Sequence, residues 1–371
     1  MAAPKKQQQF KPEELLPLAA LLIKDNYFDR ALKTLHEIDL EEAEADENFD
    51  WARFYTLLGM AEMGLNHYAP AKDDFYKAIE KGQKEPLLYV YLAQCHFGLQ
   101  EYEQTLTSIG KLGDLQKGYP SLYEMAAQSH WQLKNHDRAW AALNAGEALF
   151  PERYSFLERK TFYALELGLY QEAAAIGTRY LELSKAKPKA YVAIGNALRL
   201  SKQYTEAARI MEVASLRFPS DVKIAKVLAH TYLDQGKTHA AAGVLERISR
   251  YDPEFFSEAA ELYKRAGRYY RALELNARVS DQKVKLKQRM AILIALKHYE
   301  KVTNMEQALY RAQLLSDEPI RYALGFAAFS TGQFADAKRH LAFVKESQLF
   351  RQAVELQKLM KECEEASWKC A

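Results

Sequence analysis

One spacing constrains this chain more than anything else in it: a small residue recurs every 34 positions. With that residue as a ruler, the marks fall at Ala31, Ala71, Thr105, Ala139, Ala173, Ala207, Ala241, Ala272 and Ala337, and from Ala71 to Ala241 the 34-residue step repeats five times running. The clearest copy is Lys189 to Pro219, K-A-Y-V-A-I-G-N-A-L-R-L-S-K-Q-Y-T-E-A-A-R-I-M-E-V-A-S-L-R-F-P. Apolar and small residues recur there at helical spacing twice, first Tyr191, Ile194, Gly195, Leu198 and then Ala207, Ala208, Met211, Ala214. Ser201-Lys202-Gln203 interrupts the pattern, and Pro219 stops the second helix because it has no backbone donor to continue it. The unit is a helix–turn–helix hairpin, with Gly195 and Ala207 where the two helices must approach closely.

The order of residues in this unit (aromatic, Ile-Gly, Leu, turn, Tyr, Ala, large apolar, Ala, Pro) resembles the tetratricopeptide repeat. The resemblance implies an all-α fold, a right-handed α-solenoid superhelix of about ten hairpins with a C-terminal cap helix. Read along the chain, residues 1–11 form a polar tail expected to be disordered, and 12–280 hold an array of about eight repeats. Residues 281–346 hold an irregular ninth repeat and a regular tenth, and 347–371 a cap helix and C-terminal tail.

Local departures mark the weaker units. Pro12 opens the first hairpin, with Leu15, Leu18 and Leu22 as its apolar stripe. The acidic run Glu41 to Glu47 lengthens the next step and reads as a solvated loop or helix extension, or as a docking patch for a basic partner. Repeat five has Lys160-Thr161 where a Leu-Gly pair belongs. Repeat nine has Val302 in place of the small residue, and its second helix is expected to be displaced to about 305–315.

Bulk composition then excludes several classes. Lys+Arg 51 against Asp+Glu 49 leaves a net charge of +2, which gives no electrostatic case for nucleic acid as the main partner. No apolar run approaches the roughly 20 residues of a membrane span. The start, MAAPKKQQQFK, lacks the apolar core of a secretory signal.

The resemblance implies a concave groove lined by outward positions of each first helix. Counting those positions gives Gln94, Phe97, Gln128, Trp131, Phe162 and Leu165 in one zone, and Lys189, Asn196, Arg199, Lys223, Lys226, His230, Lys264 and Arg265 in a second. Apolar side chains there would anchor a protein or extended peptide, and the basic set would receive carboxylates. The bland alternative is that Trp131 and Phe162 fill between helices and the cations form a solvated face. The carboxylate-clamp members of the family use a Lys/Asn/Asn/Lys/Arg set; Asn196 sits at one such position without its partners.

His96 and His130 share one repeat position where the family places an aromatic, so they read as packing residues. No metal motif, cofactor motif, phosphate loop or nucleophile elbow is present, so no metal, no cofactor and no catalytic role are expected. Cys95 reads as a small buried hydrophobe. Cys363 and Cys370 lie seven residues apart, too far for a disulfide along an unbroken helix but close enough if the helix ends near Glu365. That pairing would point to an oxidising compartment; two free thiols on a cytoplasmic tail is the alternative.

These readings converge on a non-enzymatic scaffold or adaptor. Family analogy places it in a bacterial cell-envelope assembly, periplasmic or envelope-associated, with a cytoplasmic chaperone-like or regulatory adaptor as the alternative. A carbohydrate-binding subunit using Phe97, Trp131 and Phe162 is a further reading. The family also forms homodimers through terminal repeats.

Overall fold

A computed structural model describes residues 12–345 and 347–365, with side chains described from residue 14 onward and at 347 not at all. The tail 1–11 and Cys370 lie outside the described residues. Among the described residues every regular element is helical, and they divide into two compact units, the first ending at Lys160 and the second beginning at Thr161.

In the first unit the hairpins are α1 (Pro12–Lys24) with α2 (Phe28–His36), α4 (Trp51–Gly64) with α5 (Tyr68–Glu80), α6 (Leu88–Gly98) with α7 (Tyr102–Gly110), and α8 (Pro120–Gln132) with α9 (His136–Leu149). A short helix, α3 (Leu40–Ala45), fills the step that the acidic run lengthens, and a 3-10 turn spans Gly113–Gly118. The Asp39 carboxylate starts α3 by accepting from the Glu41 and Glu42 amides, and Asp50 does the same for α4 at the Arg53 amide. Leu15, Leu16, Ala19 and Ile23 are the buried face of α1, whereas Leu18 is 43% exposed. The stripe therefore runs one residue off the spacing expected from Leu15, Leu18 and Leu22.

The unit boundary falls inside α10 (Ser155–Glu166). Lys160, the residue that breaks the family pattern, is buried and donates to Glu147 Oε2 of α9 at 2.5 Å. The lysine thus exchanges an apolar contact for a buried ion pair, which is tolerable only because its charge is matched.

The second unit continues with α11 (Tyr170–Leu183), α12 (Pro188–Leu200) and α13 (Tyr204–Arg217), α14 (Val222–Asp234) and α15 (Thr238–Ile248), and α16 (Phe255–Arg265) and α17 (Tyr269–Asn276). It ends with α18 (Gln282–Ala295), α19 (Tyr299–Thr303), α20 (Glu306–Arg311), α21 (Glu318–Ser330), α22 (Phe334–Leu341) and the cap α23 (Ser347–Glu365). In repeat nine the second helix is broken rather than displaced: α19 starts where expected and places Val302 at 0% exposure, and α20 resumes after Asn304. The cap buries Ala353, Leu356 and Met360 against Leu341 and Val344, and so covers the last repeat's apolar face.

Every mark on the ruler, from Ala31 to Ala337, has 0% exposure. Thr105 fits among the alanines because its hydroxyl donates to the Glu101 carbonyl one turn back, at 2.9 Å. The close approach at Gly195 is direct: a Cβ there would lie 2.3 Å from Met211 Sδ of α13. The all-α hairpin array inferred from the 34-residue period is what the chain forms.

Candidate functional site

Four of the basic residues foreseen in the middle of the chain, Lys226, His230, Lys264 and Arg265, are brought together by three consecutive first helices of the second unit, whereas Lys189, Arg199 and Lys223 are not. Lys226, His230 and Leu233 of α14, Glu258, Glu261, Lys264 and Arg265 of α16, and Val284, Lys287 and Gln288 of α18 line a cleft of about 740 Å³. A cleft of this size is in the range that holds a ligand or a few peptide residues. Its floor is apolar, formed by Ala229, Leu245, Leu262 and Ala291.

The helix spacing is held by a buried amide. Gln288 donates to the Ser257 carbonyl at 2.8 Å and accepts from Asn276 Nδ2 at 3.1 Å, so α16, α17 and α18 meet at one side chain. The cations differ in how far they are neutralised. Glu261 lies 2.8 Å from Lys264 and 3.3 Å from Arg265, and Lys287 reaches Asp317 at 2.6 Å. Burial opposes ionisation of Glu261, but the hydrogen bonds and charges of Lys264 and Arg265 outweigh it and hold its carboxyl below the usual range. Lys226 is exposed, its ammonium 5.1 Å from the centre of the Phe255 ring, and has no carboxylate partner among the described residues. The balance favours an anion by one charge, because Glu258, Glu261 and the Asp317 paired with Lys287 oppose four permanent cations.

The remaining candidates are placed differently. Lys223 is exposed on α14 outside this cleft. Asn196 is half-buried on α12, and Arg199 is committed to Asp234 at 3.0 Å. Phe162 lies under the Lys189 ammonium, 5.5 Å from its ring centre. In the first unit, Gln94 and Phe97 are half-buried, and Gln128 accepts from Arg159 at 2.8 Å. Trp131 is only 7% exposed and stands edge-to-face on His136, ring centres 4.3 Å apart. Its surface is used inside the hairpin, which removes the side chain on which the sugar-stacking reading depended.

The cleft residues that sequence reasoning missed include Leu233, Glu258, Glu261, Val284, Lys287 and Gln288. Val284, Lys287 and Ala291 follow helical spacing on one face, but they sit in the repeat whose pattern is most eroded, where no ruler residue identified the face.

His96 is buried as a packing residue would be, and it is also hydrogen-bonded at both nitrogens, to Tyr76 Oη at 2.9 Å and Glu101 at 2.5 Å. Cys95 has 0% exposure, and burial pushes its thiol up to about 12, which makes it inert. Cys363 is buried on α23. Among the described residues no helix is long and apolar enough to cross a membrane.

Comparison with known proteins agrees with the hairpins. The tetratricopeptide repeat model matches residues 52–80, and the model of anaphase-promoting complex, cyclosome, subunit 3 matches residues 166–248. No curated protein matches the sequence. Among solved structures, a tetratricopeptide repeat protein from Parabacteroides merdae is 15% identical, with 66% of this chain and 99% of that one covered at a TM-score of 0.42. PilF of Pseudomonas aeruginosa is 11% identical over 59% of this chain and 97% of its own, at 0.44. The C-terminal part of a repeat protein from Cytophaga hutchinsonii is 14% identical over 72% and 97%, at 0.43. The 52–80 match falls on α4 and α5, whose crossing buries Ala71 as the other hairpins on the 34-residue ruler bury theirs; the chain is a tetratricopeptide repeat protein.

Proposed function

We propose that this protein is a non-enzymatic scaffold that receives an acidic extended segment of a partner protein in the cleft between α14, α16 and α18. Tetratricopeptide repeats generally serve protein–protein interaction, and stacked repeats present preformed surfaces to do so. The observation that carries the reading is the cleft itself, an apolar floor rimmed by Lys226, Lys264, Arg265 and Lys287. An extended segment would bury an apolar side chain on the floor and set carboxylates against the rim, where charge complementarity governs encounter and register more than raw affinity.

The test is anisotropy of a labelled acidic decapeptide with one central leucine, titrated with the full chain and with a Lys226→Glu, Arg265→Glu variant of equal circular dichroism. Binding should weaken by about tenfold or more in the variant, roughly 1.4 kcal/mol, and should fall with added salt. Equal binding by both proteins would sink the assignment.

We further propose placement in a cell-envelope assembly. Its support is family analogy together with two of the three cysteines falling in the last nine residues. Mass spectrometry of the protein from its own source checks it. A Cys363–Cys370 disulfide is the expected result, and two alkylatable thiols would shift the reading to a cytoplasmic adaptor.

A further inference from the structure

A second cleft, separate from the one between α14, α16 and α18, lies beyond the break in repeat nine. It measures about 700 Å³ and lies between the segment 310–321 and the loop after α22. Tyr310 and Phe343 stand on its walls, 70% and 54% exposed, though neither has a role in the core. Arg321 is fixed within it: its Nε donates to the Leu315 carbonyl at 2.7 Å and its guanidinium carbon lies 4.4 Å from the centre of the Phe343 ring. Arg311 and Lys345 also line the cleft, and their side chains have no carboxylate partner among the described residues. The one acidic wall residue, Glu318, accepts the Lys345 backbone N–H at 2.7 Å. Three cations against one occupied carboxylate, flanked by exposed aromatic rings, suit an acidic segment that carries an apolar side chain.

The chain contains such a segment. Residues 40–47 present Leu40, 51% exposed, beside exposed Glu41, Glu42, Glu44 and Glu47, and none of these glutamates has a cationic partner among the described residues. Leu40 opens α3, a six-residue helix about 9 Å long at 1.5 Å per residue, short enough to enter a cleft of this volume. We propose that α3 of one copy docks in the 310–345 cleft of a second copy, Leu40 between Tyr310 and Phe343 and the glutamates against Arg311, Arg321 and Lys345. The two surfaces differ, so the contact is heterologous and propagates head to tail instead of closing as a two-fold dimer. A surface this small gives weak association that salt screens.

Sedimentation of the full chain tests this with two variants made only at exposed positions: Glu41→Lys, Glu42→Lys, Glu44→Lys, which spoils the docking helix, and Arg311→Glu, Lys345→Glu, which spoils the cleft. The wild type should gain mass with concentration at low salt and return to 42.5 kDa at high salt. Each variant alone should stay monomeric. Their equimolar mixture should reach twice the monomer mass and stop, because one intact helix meets one intact cleft and neither end can grow. Glutamine replacements at the same glutamates should weaken association without reversing charge, which keeps the result readable if a reversal variant misfolds. A wild type that is monomeric throughout, variants that associate as it does, or a mixture that stays monomeric would each overturn the proposal.

Discussion

At the residue scale, His340 shows how a buried titratable group sets a pH dependence. It is 2% exposed; Arg321 Nη1 donates to its Nδ1 at 3.4 Å, and its Nε2 lies 3.4 Å from Glu306 Oε2. An arginine can only donate, so Nδ1 is an acceptor and the ring is neutral with its proton on Nε2. Burial lowers its pKa most, the Glu306 charge raises it in part, and Arg339 and Arg321 lower it further. The pKa of His130 is also lowered, by burial and then by Arg138. Both folded-state values lie below the unfolded value of about 6.5, so the unfolded chain binds more protons in that range. Stability is then complete above about pH 6.5 and is lost as pH falls through the folded values. Urea midpoints measured from pH 8 down to 5 should decline below that point, and His340→Gln should remove part of the decline, with the remainder belonging to His130. A variant with the wild-type slope would show that His340 titrates normally.

At the element scale, all ten hairpin turns among the described residues close in the same way. The second residue after each first helix takes a left-handed conformation, and the next amide reaches back five residues; at the α12 turn Lys202 has φ 62° and the Gln203 N–H bonds to the Leu198 carbonyl at 2.8 Å. Only Gly168, Gly236, Gly267 and Gly332 announce this turn in the sequence. Asn26, Asn66, Gln100, Lys134, Lys202 and Lys297 adopt the same conformation at a steric cost, because packing of the two helices over-determines the loop. Lys202→Gly should therefore stabilise by about 0.5–1 kcal/mol, read as a higher denaturant midpoint with an unchanged slope. No gain would mean that the flexibility glycine adds to the unfolded chain cancels the relief. The same contrast governs what could be read from the chain. The ruler alanines were legible because helix crossings tolerate only small side chains, a local demand repeated in every unit. The burial of Trp131 was not legible, since its outward position by helix count says nothing of His136 lying against it. Nor was the exact form of the break at Asn304: weak helix formers such as Thr303 and Asn304 mark an irregularity, but that Val302 and Leu309 both enter one core, on two short helices, is decided by tertiary packing.

At the scale of the whole molecule, a repeat array is held by each hairpin and its neighbours, so damage should stay local. Gly59 tests this in the first unit. A Cβ there would lie 2.7 Å from the Phe75 ring, which is fully buried and cannot retreat without disturbing the α4–α5 crossing. Gly59→Ala should cost about 1–3 kcal/mol, the usual cost of overpacking a tight contact. In a cooperative globular domain that cost would lower protection of every slowly exchanging amide alike. Here hydrogen exchange followed by mass spectrometry should show faster exchange in α4, α5 and the adjoining α6, while α12 to α16, in the second unit, keep wild-type protection. If protection falls equally in both units, the chain unfolds as one cooperative body. The nearest-neighbour description would then fail, and a partner gripping any one hairpin would stabilise all of them.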